Sequence, residues 1–96
     1  MITTKQRAHL RSLANTIDPI LHVGKDGIGE NLIQQAWDAL EARELVKGTV
    51  LKTAPMTARE ACEEICEKTH AEPVQVIGSR FVIYRVSREG PKIELE

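Results

Sequence analysis

The stretch that decides the fold is PILHVGKDGIGENLIQQAWDALEAR, residues 19–43. Its first part, Pro19–Val23, predicts a short strand, because it is largely apolar and proline is tolerated at the first position of a strand. The next four residues, Gly24–Gly27 (GKDG), predict a tight loop. Ile28–Arg43 then predicts a helix, since its apolar residues recur at helical spacing along one side. A strand that turns directly into a helix is typical of α/β domains.

The flanking sequence supplies two further helices and three further strands. Helices are predicted at Thr4–Ile17 and Ala58–Thr69, each after a capping box, Thr3-x-x-Gln6 and Thr57-x-x-Glu60. Strands are predicted at Leu45–Thr53, Val74–Ile77 and Arg80–Val86, with Gly78-Ser79 as a type II′ hairpin turn and residues 87–96 as a C-terminal tail. The order α-β-α-β-α-β-β indicates a single two-layer α/β (α+β) domain over residues 1–96, with three helices against a four-stranded mixed sheet.

The composition excludes several classes of protein. The chain has 96 residues, of which 42% are hydrophobic and 28% charged, so we expect one globular domain and not a disordered chain. A net charge of −1 excludes a uniformly basic surface, and an aromatic content of 3% argues against a platform that stacks bases. The apolar stretches are too short to cross a membrane and the N-terminal residues have no apolar signal region, so we expect a cytoplasmic protein.

The aromatic residues have structural interpretations. Trp37, on the second predicted helix, is expected to be a partly buried packing residue. Phe81 and Tyr84 lie on opposite faces of the last predicted strand, and one of them is expected to be in the core.

The charges are segregated along the chain. Residues 1–25 carry four basic side chains against one acidic, and residues 74–92 carry the same balance. Residues 57–72, which contain the third predicted helix, carry five acidic side chains against two basic. The near-neutral total therefore conceals two basic segments and one acidic helix, whose carboxylates are expected to form a solvated face.

The Gly24–Gly27 loop has the composition of an anion-binding loop. Its glycines let the backbone turn tightly and approach a ligand closely, and the helix that follows directs its free amides and positive dipole end at the same place. Lys25 adds a mobile positive charge at the tip. The glycine spacing fits neither a Walker A loop nor a dinucleotide fingerprint. A plain strand-to-helix turn, with Asp26 as a helix cap, stays open as an alternative.

The sequence offers no convincing catalytic or metal-binding set. Cys62, Cys66 and His70 share a helix face at the spacing Cys-x3-Cys-x3-His, which raises the possibility of a metal site. A structural zinc site needs four ligands, however, and both cysteines lie in an apolar stripe, so packing is the favoured role. Since no nucleophile–base pair and no cofactor motif are recognisable, we expect a protein that is not an enzyme and holds no cofactor.

Several blocks of residues resemble the CRM domain (chloroplast RNA splicing and ribosome maturation), and more narrowly its stand-alone bacterial YhbY-type members. The blocks follow one another along nearly the whole chain: residues 6–11 (QRAHLR), 18–20 (DPI), 23–28 (VGKDGI), 39–47 (ALEARELVK), 74–78 (VQVIG) and 84–85 (YR). The resemblance implies the same order of elements, in a fold similar to the C-terminal domain of translation initiation factor three. It also implies RNA binding through a GxxG loop, and association with precursors of the large ribosomal subunit.

The resemblance also implies which residues contact RNA. They are the loop residues Gly24, Lys25, Asp26 and Gly27, then Lys5, Arg7 and Arg11 on the first helix, and Lys47 and Arg85, while Arg80 and Arg88 are added from the second basic segment. The expected partners are structured rRNA and pre-large-subunit particles, with no DNA and no membrane, bound by a monomer. Two glycines depart from the family pattern. Gly48 stands where a branched strand residue is usual, which predicts a strand weaker by roughly 0.5–1 kcal/mol, and Gly29 stands where a hydroxyl residue is frequent.

A second interpretation stays open. The acidic third helix would dock a basic partner in a protein-interaction domain. Nuclease treatment discriminates between the two hypotheses, because only an association through RNA is lost when the RNA is digested.

Overall fold

The computed structural model describes residues 2–88, 90–91 and 93. Its elements are α1 (Thr4–Ala14), β1 (Leu21–Val23), α2 (Glu30–Arg43), β2 (Leu45–Val50), α3 (Ala58–Thr69), β3 (Glu72–Ile77) and β4 (Arg80–Tyr84). The predicted fold class is confirmed: three helices accompany a four-stranded mixed sheet, in the predicted order. Among the described residues, no helix has the length and apolar character needed to span a bilayer.

The sheet brings three connections to one end. The strand order is β1-β2-β4-β3, in which β1 runs parallel to β2 and the other two pairings are antiparallel. Parallel pairing places the last residues of β1 and β2, Val23 and Val50, side by side. The amide of Val50 donates to the carbonyl of Ser79 at 2.7 Å, which adds the β3–β4 turn. We call this end, formed by Gly24–Gly27, residues 51–56 and Gly78–Ser79, the loop end of the sheet.

Helices cover both faces of the sheet. α2 and α3 pack on one face, in a core that includes Phe81 and Ile83. α1 packs on the other face, which we call the α1 face, in a second core that includes Leu10, Val82 and Tyr84. The structure therefore differs from the predicted two layers in one respect, since α1 forms a layer of its own. For the same reason both Phe81 and Tyr84 are buried, where the sequence led us to expect one of them in the core.

The predicted local signals are present, although several element ends differ. Both capping boxes form, at Thr3 with Gln6 and at Thr57 with Glu60. Of the two residues in the β3–β4 turn only Gly78 has a positive φ, +58°, which is the pattern of the predicted type II′ turn. α1 ends at Ala14, three residues before the predicted end, because the chain continues into turns that are closed by i→i−3 hydrogen bonds.

Two described residues of the C-terminal segment, Ser87 and Ile93, bond to the domain. The carboxylate of Glu44, a residue that is fully buried between α2 and β2, accepts the amide N–H of Ser87 at 2.6 Å and that of Ile93 at 2.7 Å. Ile93 also packs against the core on the α1 face. One buried side chain thus holds Ser87 and Ile93 near the start of β2.

Candidate nucleic-acid interface

The glycine loop is a closed turn with its charged residues at the tip. Gly27 donates its amide N–H to the carbonyl of Gly24 at 3.0 Å, and its φ of +70° lies in the left-handed region that favours glycine. A Cβ on Gly27 would lie 3.4 Å from side-chain atoms of both Pro55 and Met56, so the loop rests closely on the segment after β2. The side chains of Lys25 and Asp26 are exposed.

The helix after the loop begins without a side-chain cap. The helix was predicted to start at Ile28, which would make Gly27 its N-cap, but the N-cap in the structure is Gly29. No side chain bonds to the first amides of α2. Asp26 therefore does not cap the helix. The space around Gly29 is open, because a Cβ built there would meet no atom within 4 Å. Uncapped amides and the positive end of the helix dipole thus face solvent directly beside the loop.

Three exposed cations accompany the loop. Lys25 lies at its tip, Arg80 is the first residue of β4, and Lys52 follows the end of β2. Within residues 2–88, 90–91 and 93, none of these three side chains makes a hydrogen bond or an ion pair. All three are consequently available to an anionic ligand at the loop end.

Lys52 is not among the residues that the sequence led us to expect at the site, because it lies inside a predicted strand, Leu45–Thr53. In the structure β2 ends at Val50, and the amide of Leu51 bonds to the carbonyl of Val23 at 2.8 Å, so that Lys52 follows directly beside the glycine loop. The sequence allowed parallel pairing between the first two strands, and this pairing brings their carboxyl ends together. Lys52 could therefore have been predicted to lie near the glycine loop.

The predicted cations on the α1 side divide into exposed side chains and side chains that bond to the fold. Lys5 and Arg11 are exposed on α1. Arg7 is half-buried and donates from Nε to the carbonyl of Pro73 at 3.3 Å. Lys47 is also half-buried, and its ammonium donates to the carbonyl of Ala14 at 3.2 Å and to that of residue 17 at 3.5 Å. Lys47 therefore caps the C-terminal end of α1.

Arg85 and Arg88 lie at the other end of the sheet. Arg85 donates to the carbonyl of Thr69 at 2.7 Å, pairs with the carboxylate of Glu41 at 3.1 Å, and lies 4.1 Å from the centroid of the Trp37 ring. Only 10% of its side chain is exposed. Arg88 is exposed and lies 5.0 Å from the same ring. The guanidinium of Arg85 is thus engaged within the fold, at the C-terminal ends of α2 and α3, and both arginines lie away from the loop end.

The carboxylate of Glu41 responds to both arginines. Its pKa is held below the ordinary value, chiefly by the hydrogen bond from the backbone N–H of Arg88 and then by the guanidinium of Arg85. The same Oε2 atom accepts both bonds, at 3.2 Å and 3.1 Å. This cluster has a structural role, because it joins the C-terminal end of α2 to the chain after β4.

The cysteine and histidine positions do not form a ligand set. Cys62 and Cys66 are buried in the core of α3, whereas His70 is exposed at the C-cap, in a left-handed conformation with φ +61°. The ring of His70 packs edge-on against Trp37, with centroids 6.4 Å apart. In the described part of the chain, no group of three or more His, Cys, Asp or Glu side chains is arranged to hold a metal ion.

These features define a small α/β domain with a closed glycine turn, a helix N-terminus without a side-chain cap and three exposed cations at one end of its sheet. The model of the CRS1/YhbY (CRM) domain family matches residues 2–85, and the chain belongs to that family.

Named relatives are similar over the whole chain. The chain is 41% identical to "Probable RNA-binding protein YqeI" of Bacillus subtilis, over 99% of both chains. It is 34% identical to an RNA-binding protein of Haemophilus influenzae, over 98% of this chain and 94% of the relative. The solution structure of the hypothetical protein SAV1595 from Staphylococcus aureus is 52% identical, with a TM-score of 0.82 over 100% of both chains.

Proposed function

We propose that this protein binds RNA through the loop end of its sheet. The observation that carries the proposal is the position of Lys25, exposed at the tip of a closed glycine turn that leads into an uncapped helix N-terminus. Lys52 and Arg80 lie at the same end, and neither is paired within the described residues. The relatives named as RNA-binding proteins support RNA as the ligand.

The proposed ligand is structured large-subunit rRNA or its precursor particle during ribosome assembly, bound without catalysis in the cytoplasm. The loop end supplies point charges and backbone donors, which suit phosphates. Few aromatic side chains are available to stack bases, since the chain has one Trp, one Tyr and one Phe, and Phe81 and Tyr84 are buried. Selectivity then comes mainly from the shape of the RNA.

Docking of a basic protein on α3 has less to support it. Glu60 accepts the amide of Thr57 to close the capping box, and Glu64 pairs with Lys68 at 3.0 Å. These bonds engage part of the acidic face that the sequence suggested, so RNA binding is the function that we propose.

Salt-dependent binding tests the proposal. A labelled large-subunit rRNA fragment is titrated with the protein in a fluorescence anisotropy assay at several salt concentrations. We expect the logarithm of the affinity to fall with the logarithm of salt, by roughly 0.7–0.9 per phosphate contact. The Lys25→Glu variant should bind more weakly and with a shallower salt dependence.

A charge-matched control separates the loop from net charge. Arg43 is exposed in the last turn of α2, next to the first residue of β2 and hence at the other end of the sheet. Arg43→Glu changes the net charge as Lys25→Glu does, and it should reduce binding much less. Equal losses in the two variants would remove the loop from the binding surface, and absence of binding at low salt would overturn the proposed function.

A further inference from the structure

A small cleft lies on the α1 face, beside the loop end. Its volume is about 160 Å³, and it is open on one side. The lining residues are polar or basic around an apolar floor: Asn15, Lys47, Gln75, Ile77, Arg80 and Val82. The cleft is distinct from the glycine loop, but it includes Arg80, which directly follows Ser79 of the loop end.

The cleft exists because α1 is shorter than the face on which it packs. α1 ends at Ala14, and Asn15 is its C-cap. Beyond it, β3 and β4 continue to the turn at Gly78, and Ile77 pairs with Arg80 without a helix above them. Ile77 is 64% exposed, which is the largest exposure among the large hydrophobic residues of the described chain. The side chain of Ile77 is thus left open to solvent at the end of the sheet.

Register places the polar side chains on this face. Gln75 pairs with Val82, which belongs to the α1 core, so Gln75 is directed to the same face. The side chains of Asn15, Gln75 and Arg80 make no hydrogen bond or ion pair within residues 2–88, 90–91 and 93. Lys47 differs from them, because the carbonyls at the end of α1 hold its ammonium in place.

The lining has the chemistry of a site for a nucleobase. Each free amide offers a donor and an acceptor, as the edges of bases require. The exposed side chain of Ile77, with the buried Val82 behind the cleft, offers an apolar surface for the face of a base. Arg80 and Lys47 place positive charge where a flanking phosphate would lie.

We propose that the cleft receives one unstacked nucleobase of a bulged or single-stranded segment, whose backbone continues to the loop end. This inference rests on the proposed function and extends it, because it adds a contact to a base beside the contacts to phosphate. Asn15 and Gln75 hydrogen-bond to the base edge, and Arg80 contacts the adjoining phosphate.

Two hairpin RNAs test the cleft, one with a single bulged nucleotide and one fully paired. The double variant Asn15→Ala/Gln75→Ala removes both amides and no charge. We expect the wild-type protein to bind the bulged hairpin at least about fivefold more tightly than the paired one. The double variant should lose this preference, because it lacks the hydrogen bonds to the base. The salt dependence should stay as in the wild type, because no phosphate contact is removed.

Gln35→Ala is the matched control. Gln35 is an exposed amide on α2, on the other side of the sheet, and it donates to the carbonyl of Ile20 at 3.3 Å. The control should keep the preference for the bulged hairpin. In the wild-type protein, addition of the bulged hairpin should also shift the side-chain NH₂ resonances of Asn15 and Gln75, a measurement that needs no variant.

The outcomes separate the two proposals. Equal affinity of the wild type for both hairpins, or a double variant that retains the preference, overturns the cleft and leaves RNA binding in place. Failure of the wild type to bind either RNA overturns the proposed function and the cleft with it.

Discussion

The ring of Phe81 on β4 lies directly against Gly48 on β2, in the core beneath α2 and α3. The two residues are register partners in the antiparallel pair. A Cβ on residue 48 would lie 2.7 Å from both Cε atoms of the ring and closer still to Cζ, a distance that real Cβ atoms do not adopt. The absence of a side chain at Gly48 is therefore what admits the largest fully buried side chain of the domain.

Gly48→Ala is expected to destabilise the domain. The added methyl group must displace the ring of Phe81, and overpacking of this kind costs about 1–3 kcal/mol. Urea unfolding followed by circular dichroism measures the change. The double variant Gly48→Ala/Phe81→Leu should lose less than the sum of its single variants, because the smaller side chain leaves room for the methyl group. Additive losses would show that the two residues are not in contact.

Short sequence motifs predicted the helices, strands and turns, whereas features that depend on contacts between distant residues were missed. The capping boxes at Thr3 and Thr57 and the Gly78 turn are read from neighbouring residues, so they could be predicted. The departure of Gly48 from the family pattern led us to expect a weaker β2. The structure shows instead that Gly48 makes room for Phe81, and this role could not be predicted because Phe81 is distant along the chain. The separate layer of α1 was missed for a related reason, since helical spacing does not specify which face of a sheet a helix covers.

The candidate site divides in the same way. The exposure of Lys25 follows from its place at a loop tip, which the sequence shows. The engagement of Lys47 and Arg85 depends on carbonyls at the C-terminal ends of α1 and α3, and charge patterns along the chain do not reveal such partners. The clusters of basic residues in the sequence therefore indicated the basic segments. Which of these basic side chains are exposed, and which bond to the protein itself, depends on the fold.

Arg85 and Arg80 should respond differently to the same substitution. Arg85→Met removes the bond to Thr69 and the ion pair with Glu41, and it should lower the free energy of unfolding by about 2 kcal/mol. Arg80→Met removes an exposed cation without a partner among the described residues, so stability should be nearly unchanged. RNA affinity of Arg80→Met should fall, with the salt dependence reduced by about one contact. Thermal unfolding measures the stability of both variants, and fluorescence anisotropy measures their RNA affinity. An Arg85→Met protein that is as stable as the wild type but no longer binds RNA would contradict the structural role of Arg85.

Glu41 should make the stability of the domain depend on pH. Its pKa in the folded protein lies below the ordinary value of 4.5, chiefly because the amide of Arg88 and then the guanidinium of Arg85 favour the carboxylate. Its stabilising contribution is therefore complete above the ordinary value and is lost as the pH falls through the folded-state pKa. Urea midpoints across this acidic range should fall less steeply for Glu41→Gln than for the wild type. Glu67→Gln, at an exposed site on α3, should keep the wild-type slope.

The thiols of Cys62 and Cys66 should be unreactive in the folded protein. Their residues are 1% and 7% exposed, so burial shields both sulfur atoms. The hydrogen bond between them, with burial, raises the pKa of Cys66, while the same hydrogen bond lowers the pKa of Cys62. Because the reagent must reach the sulfur atom, a disulfide reagent should modify the native protein slowly and the urea-unfolded protein at once. Gly48→Ala should speed the reaction at native conditions, because a less stable domain opens more often. Complete modification within the mixing time, while circular dichroism still shows a folded domain, would contradict the packing role of these cysteines.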